Sequence, residues 1–334
     1  MCYKFQFRPY QRRFRHPLKT SYGCWDIREG IILHLMDETG QIGWGEIAPL
    51  PWFGSETLEQ ALNFCHQLPT HITVSDIFSI PARLPACQFG FESALESVGS
   101  GEWGVGSGEM GEFLSSQNLK SISTAARSAI PNSNSKIAFS YLLPTGEAAL
   151  ESWQIGWNQG YRTFKWKMGV ATFEEELKVF DRLVQLLPPS AKLRLDANGG
   201  LSIQEAERWL KISDDTGIIE FIEQPISPKE FNQMLKMSNQ YSTPIALDES
   251  VATLSQLEEC YDNGWRGIYV IKAAIAGSPK RLRQFCQTHD IDIVFSSVFE
   301  TAIGRHAALQ LAAKLSNRDR AVGFGINHWF TDDE

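Results

Sequence analysis

From about residue 136 onward the chain repeats one pattern. A short apolar run is followed by a longer stretch in which apolar positions recur every three or four residues. The short runs predict strands at 137–143, 163–168, 192–196, 218–223, 244–248, 267–272, 291–296 and 321–324. The stretches 172–187, 203–214, 229–239, 254–262, 279–288 and 302–315 have the length and spacing of helices. Strands that alternate with helices form a parallel sheet. Eight such units suit a closed (β/α) barrel better than an open doubly wound sheet, and no G-x-G-x-x-G turn follows any of the strands. The period of roughly 25 residues lacks the leucine and asparagine signature of a leucine-rich solenoid.

The first part of the chain follows a different rule. Residues 1–95 alternate strand-like over Tyr3–Phe7 and Ile31–Met36, turn at Gly40–Gly45, and carry helical spacing at Leu58, Leu62 and Cys65. This predicts a separate α+β domain over 1–98, with 325–334 a candidate to complete it, and the barrel over 136–324. Between them, 99–135 is dense in Gly and Ser and reads as loop and connecting segment, with a helix suggested near 121–128.

Composition narrows the class. The 334 residues are enough for one large domain and a smaller one. No apolar run is long enough to span a bilayer, so no membrane contact is expected. The net charge of −8 opposes non-specific binding to nucleic acid. The basic residues at 8–19 read as a solvated strand edge. Six scattered cysteines without a C-x-x-C pair point to a reducing, cytoplasmic setting. Nothing in the pattern specifies an oligomer.

The chemistry lies where the repeat is broken by charge. Lys165 and Lys167 fall near the end of the second barrel strand, and Asp196, Glu223, Asp248 and Lys272 end the next four. Successive intervals from Lys167 are 29, 27, 25 and 24 residues, about one βα unit each. A single charge at a strand end usually just begins a loop, but five strands in succession bring these groups together at the C-terminal mouth, where barrel enzymes keep their sites. Alternation turns Lys165 and Lys167 inward and Trp166 outward. Three neighbouring carboxylates would repel unless a cation sits among them, and all-oxygen ligation favours Mg²⁺, with Mn²⁺ as a substitute. None of the seven histidines has metal-ligand spacing. With the metal and the lysines both counted the mouth is cationic and suits a small-molecule carboxylate. Lys167, beside cationic Lys165, is the candidate base for a proton α to that carboxylate.

The motifs Lys165-Trp166-Lys167, Asp196-Ala197-Asn198-Gly199, Glu223-Gln224-Pro225, Leu247-Asp248-Glu249-Ser250 and Ile271-Lys272 resemble the strand-end motifs of the enolase superfamily, muconate-lactonizing subgroup. The likeness spans the chain, including Gly43-Trp44-Gly45-Glu46 in the first domain. It implies a (β/α)7β-type modified TIM barrel with an N-terminal α+β capping domain. The established chemistry of that superfamily, a Lys or His base working with Mg²⁺, comes with the resemblance. Arg194-Leu195-Asp196-Ala197-Asn198-Gly199-Gly200 and the short length are most similar to the o-succinylbenzoate synthases, dehydratases of menaquinone and phylloquinone biosynthesis. The resemblance implies that Asp196, Glu223 and Asp248 bind Mg²⁺, Lys167 is the acid/base, Lys165 stabilises the enediolate, and Lys272 is a cation on the opposite face. Leu201 departs from the tryptophan often found after the Asn-Gly turn. Asn198, Ser296, Ser297, Glu300 and Gly323 are candidate substrate contacts, and Trp52 and Phe53, with Trp25 and Pro51, a candidate lid. The motifs fit an N-acylamino acid racemase or dipeptide epimerase equally. A silent binding barrel is disfavoured, since it has no reason to hold so many charges together.

Overall fold

A computed structural model describes residues 1–20, 23–100, 137–317, 319–326 and 329–330. Apart from Gly99 and Ser100, the Gly/Ser-rich stretch and its suggested helix lie outside the described residues.

The first 100 residues build an antiparallel sheet in the order β3 (Ile42–Ile47), β2 (Gly23–Met36), β1 (Cys2–Thr20), β4 (His71–Thr73). Three helices accompany it: α1 (Leu58–Gln67), α2 (Val74–Phe78) and α3 (Pro85–Ser97). The β1–β2 hairpin is longer than the alternation in the sequence predicts. Its register runs from Lys4↔Met36 to Thr20↔Gly23, with a break between Arg13 and Leu18. The Gly40–Gly45 turn is also revised: β3 begins at Ile42, so Gly43 and Gly45 are strand residues. A Cβ at Gly43 would lie 2.0 Å from the Ala94 carbonyl, and one at Gly45 2.0 Å from that of Gly90. These glycines let β3 lie backbone to backbone on α3.

The second sheet runs β11-β10-β9-β8-β7-β6-β5-β12. Its strands are β5 (Phe139–Leu142), β6 (Thr163–Lys167), β7 (Lys192–Asp196), β8 (Ile219–Glu223), β9 (Ile245–Leu247), β10 (Ile268–Ile271), β11 (Asp292–Phe295) and β12 (Val322–Gly325). A parallel bridge between Ser296 and Gly323 joins the two ends and closes the barrel. Helices α4 (Ala149–Asn158), α5 (Phe173–Leu186), α6 (Ile203–Asp214), α7 (Phe231–Gln240), α8 (Leu254–Asp262), α9 (Ala273–Ala276), α10 (Pro279–Thr288) and α11 (Ala302–Leu315) connect the strands. The sequence places α5 to α8, α10 and α11 within two residues and overlooks α4 and the short α9. Capping boxes at Thr172/Glu175, Ser202/Glu205 and Thr253/Gln256 set three of the N-termini. Among the described residues no helix is long and apolar enough to cross a membrane, and the six cysteines are free thiols.

Two buried carboxylates lock the first domain onto the barrel. Glu46, at the end of β3 and 0% exposed, accepts the Thr301 and Gly304 backbone N–H groups at 2.9 Å and the hydroxyls of Tyr10 and Thr301. Glu92 on α3 accepts the Lys280 N–H at 3.0 Å. Each satisfies free donors at the start of a barrel helix, α11 or α10. The chain also returns from the barrel to the first domain. Phe330 bridges Phe14, its carbonyl accepts from Arg15 Nε at 2.6 Å, and the Arg12 guanidinium covers its ring at 3.7 Å.

Candidate active site

The C-terminal ends of the barrel strands open into a cavity of about 830 Å³, its open mouth included. Ser140 and Leu142 of β5, Lys165 and Lys167 of β6, Asp196 at the end of β7 with Asn198 beyond it, Asp248 and Glu249 after β9, and Lys272 after β10 line its walls. Ser296 to Phe299 after β11, with Gly323 and Ile326 at β12, complete the barrel side. Leu18, Trp25, Leu50, Trp52 and Phe53 reach over from the first domain. The mixed lining suits a small organic substrate.

Pleating delivers the lysines. Lys165 and Lys167 point into the barrel, while Trp166 is 0% exposed and packs in the outer core. Lys165 Nζ donates to Glu223 Oε1 at 2.6 Å and lies 2.9 Å from Asp196 Oδ2. Lys167 Nζ donates to Asn198 Oδ1 at 2.7 Å and stands 3.6 Å from Asp196 Oδ2. Lys272 Nζ donates to Asp248 Oδ1 and sits 3.9 Å from the centre of the Phe53 ring. Since β10 is four places from β6 in an eight-stranded barrel, Lys272 faces Lys167 across the mouth.

Asp196, Glu223 and Asp248 are each 1% exposed. Burial pushes the Glu223 carboxyl above the ordinary range against the pull of Lys165, and raises Asp248 in the same way despite Lys272. Burial also works to raise Asp196, but the ammonium groups of Lys165 and Lys167 outweigh it and hold Asp196 below the usual range. Lys165 is the converse: burial favours its neutral form, and three carboxylates keep it charged and raise its pKa.

Glu249 belongs to this cluster, although alternation would send it to the opposite face from Asp248. β9 ends at Leu247 and a tight turn over Glu249–Val251 swings the carboxylate back to the cavity. The turn is held by Gln224, which has a left-handed φ of 38° and accepts the Asp248 and Ser250 N–H groups at 3.0 and 3.1 Å. The motif containing Glu249 was the signal available in the sequence. With Asp196, Glu223, Asp248 and Glu249 against Lys165, Lys167 and Lys272, four carboxylates face three ammonium groups. Among the described residues no three acidic groups stand at metal-ligand spacing, because the lysines lie between them. The donor set nevertheless fits a hard divalent cation: all-oxygen, anionic in excess and buried.

Other candidates divide. Ser296 and Gly323 line the cavity, and a Cβ at Gly323 would fall 2.7 Å from Ser296 Oγ, so glycine is needed where the barrel closes. Ser297 also lines it, but its hydroxyl donates to Glu300 at 2.8 Å. Glu300 does not line the cavity. It grips the Val298 N–H at 2.7 Å and braces the loop that carries Ser297. Trp52 and Phe53 lie over the mouth with Trp25, whose ring meets Trp52 at 5.0 Å and Phe299 at 5.6 Å. Ser140, Leu142, Val298, Phe299 and Ile326 also line the cavity, and no local motif in the sequence marks them.

Comparison with known proteins decides the family. Residues 148–334 match the model for the enolase C-terminal domain-like family, and residues 22–98 match the MenC N-terminal domain. An o-succinylbenzoate synthase of Thermosynechococcus vestitus is 39% identical over 98% of this chain and 93% of its own length. The chain belongs to the o-succinylbenzoate synthase family of the enolase superfamily. A crystal structure of the synthase from Thermosynechococcus elongatus, with Mg in its active site, superposes on it with a TM-score of 0.83, at 39% identity over 98% of this chain and 94% of that one. The L-Ala-D/L-Glu epimerase of Bacillus subtilis is more distant, 23% identical over 93% of this chain and 84% of its own. A dipeptide epimerase from Enterococcus faecalis shares the fold, with a TM-score of 0.76 at 19% identity over 99% and 92% of the two chains. Family membership accords with the (β/α)7β barrel and capping domain expected from the strand-end motifs.

Proposed function

We propose that this chain dehydrates 2-succinyl-6-hydroxy-2,4-cyclohexadiene-1-carboxylate to 2-succinylbenzoate in the cytoplasm, a step of menaquinone or phylloquinone biosynthesis. Full-length likeness to an o-succinylbenzoate synthase at 39% identity carries the reading. Asp196, Glu223 and Asp248 would hold Mg²⁺, or Mn²⁺ in its place, which supplies positive charge for the carboxylate as it gains a second negative charge. Lys167 takes the proton from C1, the carbon next to the carboxylate, and the electron pair moves into that carboxylate to form an enediolate. Lys165, held charged by its carboxylates, stabilises this dianion. The electrons return to form the C1–C6 double bond and expel the C6 hydroxyl, which leaves as water with the proton from Lys167. Lys272 faces the other side of the ring and serves as a cation throughout.

The lining favours this substrate over a dipeptide. Outside the lysine–carboxylate cluster it consists, among the described residues, of Leu18, Trp25, Leu50, Trp52, Phe53, Ser140, Leu142, Asn198, Ser296, Ser297, Val298, Phe299, Gly323 and Ile326, without an acid to pair a peptide ammonium. Burying that ammonium unpaired is costly. The test is the ultraviolet change on aromatisation by purified protein with Mg²⁺, alongside deuterium exchange and loss of optical rotation for N-succinyl amino acids in D₂O. The proposal expects the higher kcat/KM for dehydration, its loss on chelation and its return with Mg²⁺. Faster racemisation with no aromatic product refutes it.

A further inference from the structure

The side chains behind Lys167 form a chain that the reaction scheme does not use. Asn198 has a left-handed φ of 47°, and its backbone N–H donates to Asp196 Oδ1 at 3.1 Å, so the residue is pinned beside Asp196. Its side-chain Oδ1 accepts from Lys167 Nζ at 2.7 Å, and its Nδ2 donates to Glu249 Oε1 at 3.1 Å. Glu249 is 7% exposed, and its Oε2 has no hydrogen-bond partner. Asn198 is the one protein group bonded to Glu249 by its side chain among the described residues.

An amide can turn about its last bond, exchanging an acceptor for a donor. If Asn198 turned, its NH₂ would oppose the Lys167 N–H groups. A carboxylate accepts only, so Glu249 holds the NH₂ toward itself and keeps the oxygen toward Lys167. The Asn198 oxygen and Asp196 Oδ2 both lie on the β7 side of Lys167 Nζ. The nitrogen is thus held from the wall side while Lys167 lines the cavity.

We propose that Asn198, oriented by Glu249, is a positioning residue that aims Lys167 at the substrate, and that Glu249 influences turnover through Asn198 alone. This rests on the assignment of Lys167 as the base. It revises Asn198 from substrate contact to support of the lysine, and gives Glu249 a role beside the metal-binding carboxylates without being one of them.

A swap of acceptor and donor tests it. Asn198→Asp keeps an acceptor for Lys167 but sets two carboxylates against each other, and should lower kcat about 100-fold, the cost of a misplaced reacting group, with KM within about threefold. Adding Glu249→Gln restores a donor–acceptor pair with the same total charge, and the double variant should recover to within about tenfold of wild-type kcat. Glu249→Leu should lower kcat in an Asn198 background and have no further effect on Asn198→Ala. Calorimetric Mg²⁺ affinity should stay within about threefold in every variant, and circular dichroism should confirm folding. If Glu249→Leu does not fold, the swap still decides. The inference is overturned if the double variant is no faster than Asn198→Asp, if the loss appears in KM, or if Mg²⁺ affinity falls with kcat. Failure of the functional reading looks different: wild-type protein then yields no aromatic product, and the roles of Lys167 and of this pair fall together.

Discussion

Both ends of the barrel interior hold buried ion pairs, and they are built from different cations. At the mouth, Lys165, Lys167 and Lys272 meet carboxylates through their ammonium groups, Lys165 meeting two, and Glu249 keeps an oxygen with no partner. At the other end, where the strands begin, the cations in these pairs are chiefly arginine. Arg320 grips Asp292 with Nε at 2.8 Å and Nη2 at 2.6 Å and reaches Glu220 with Nη1 at 3.1 Å. Arg194 Nε donates to the other Glu220 oxygen at 2.6 Å, over the face of Phe221. A guanidinium is a rigid fork that keeps its charge, whereas an ammonium is a point charge on a flexible stem that can exchange a proton. The floor is therefore suited to holding strands in register, and the mouth to moving protons.

Three substitutions probe that contrast, the largest effect first. Lys167→Ala should reduce kcat about a thousandfold with only a small drop in melting temperature, because it removes the base while Lys165 still pairs with Asp196. Near wild-type turnover in a stopped-flow aromatisation assay would remove Lys167 from the mechanism. Glu220→Ala should do the reverse. With both neighbouring guanidinium groups left short of a partner, we expect a loss of about 3–5 kcal/mol in urea unfolding and kcat within twofold for the protein that remains folded. A loss of turnover without a loss of stability would mean the two ends are not separate in function.

A buried titratable group with no carboxylate partner sharpens the contrast. His34 in β2 packs edge-on against Trp44 at 5.0 Å, and its Nε2 has no partner. Burial, aided by Lys4, pushes its pKa down from 6.5 to about 4. As pH falls below 6.5 the unfolded chain takes up this proton before the native one does, so the stabilising contribution of neutral His34 is present above 6.5 and lost progressively towards pH 4. The full loss is about 3 kcal/mol. Denaturant unfolding between pH 7 and 4 should show a shallower decline in His34→Leu than in wild type, and identical slopes would mean His34 does not contribute.

The barrel was legible because its helices are amphipathic and its strands are short and apolar. Ile203–Asp214 and Leu254–Asp262 can be read to the residue, since each begins at a capping box and follows the 3.6-residue period. The charges at the strand ends were legible for a related reason: a spacing of one βα unit brings them to one end whatever the loops do. α3 was not legible, because it lies between the sheet of the first domain and the barrel and is buried nearly all round, which leaves no polar face to mark its period. Nor was Glu220, which is turned inward by the register shift between β7 and β8. Glu249 depends on a turn held by Gln224, and Glu300 on a loop that returns its carboxylate to Ser297. The sequence by itself determined the repeat, the order of the charged strand ends and the chemistry their residue types allow, since these depend on local spacing. Which of those side chains face the cavity, which brace its walls, and how the first domain closes over it were decided only by tertiary structure, because a single turn, bulge or close approach of backbones is specified by groups distant in the chain.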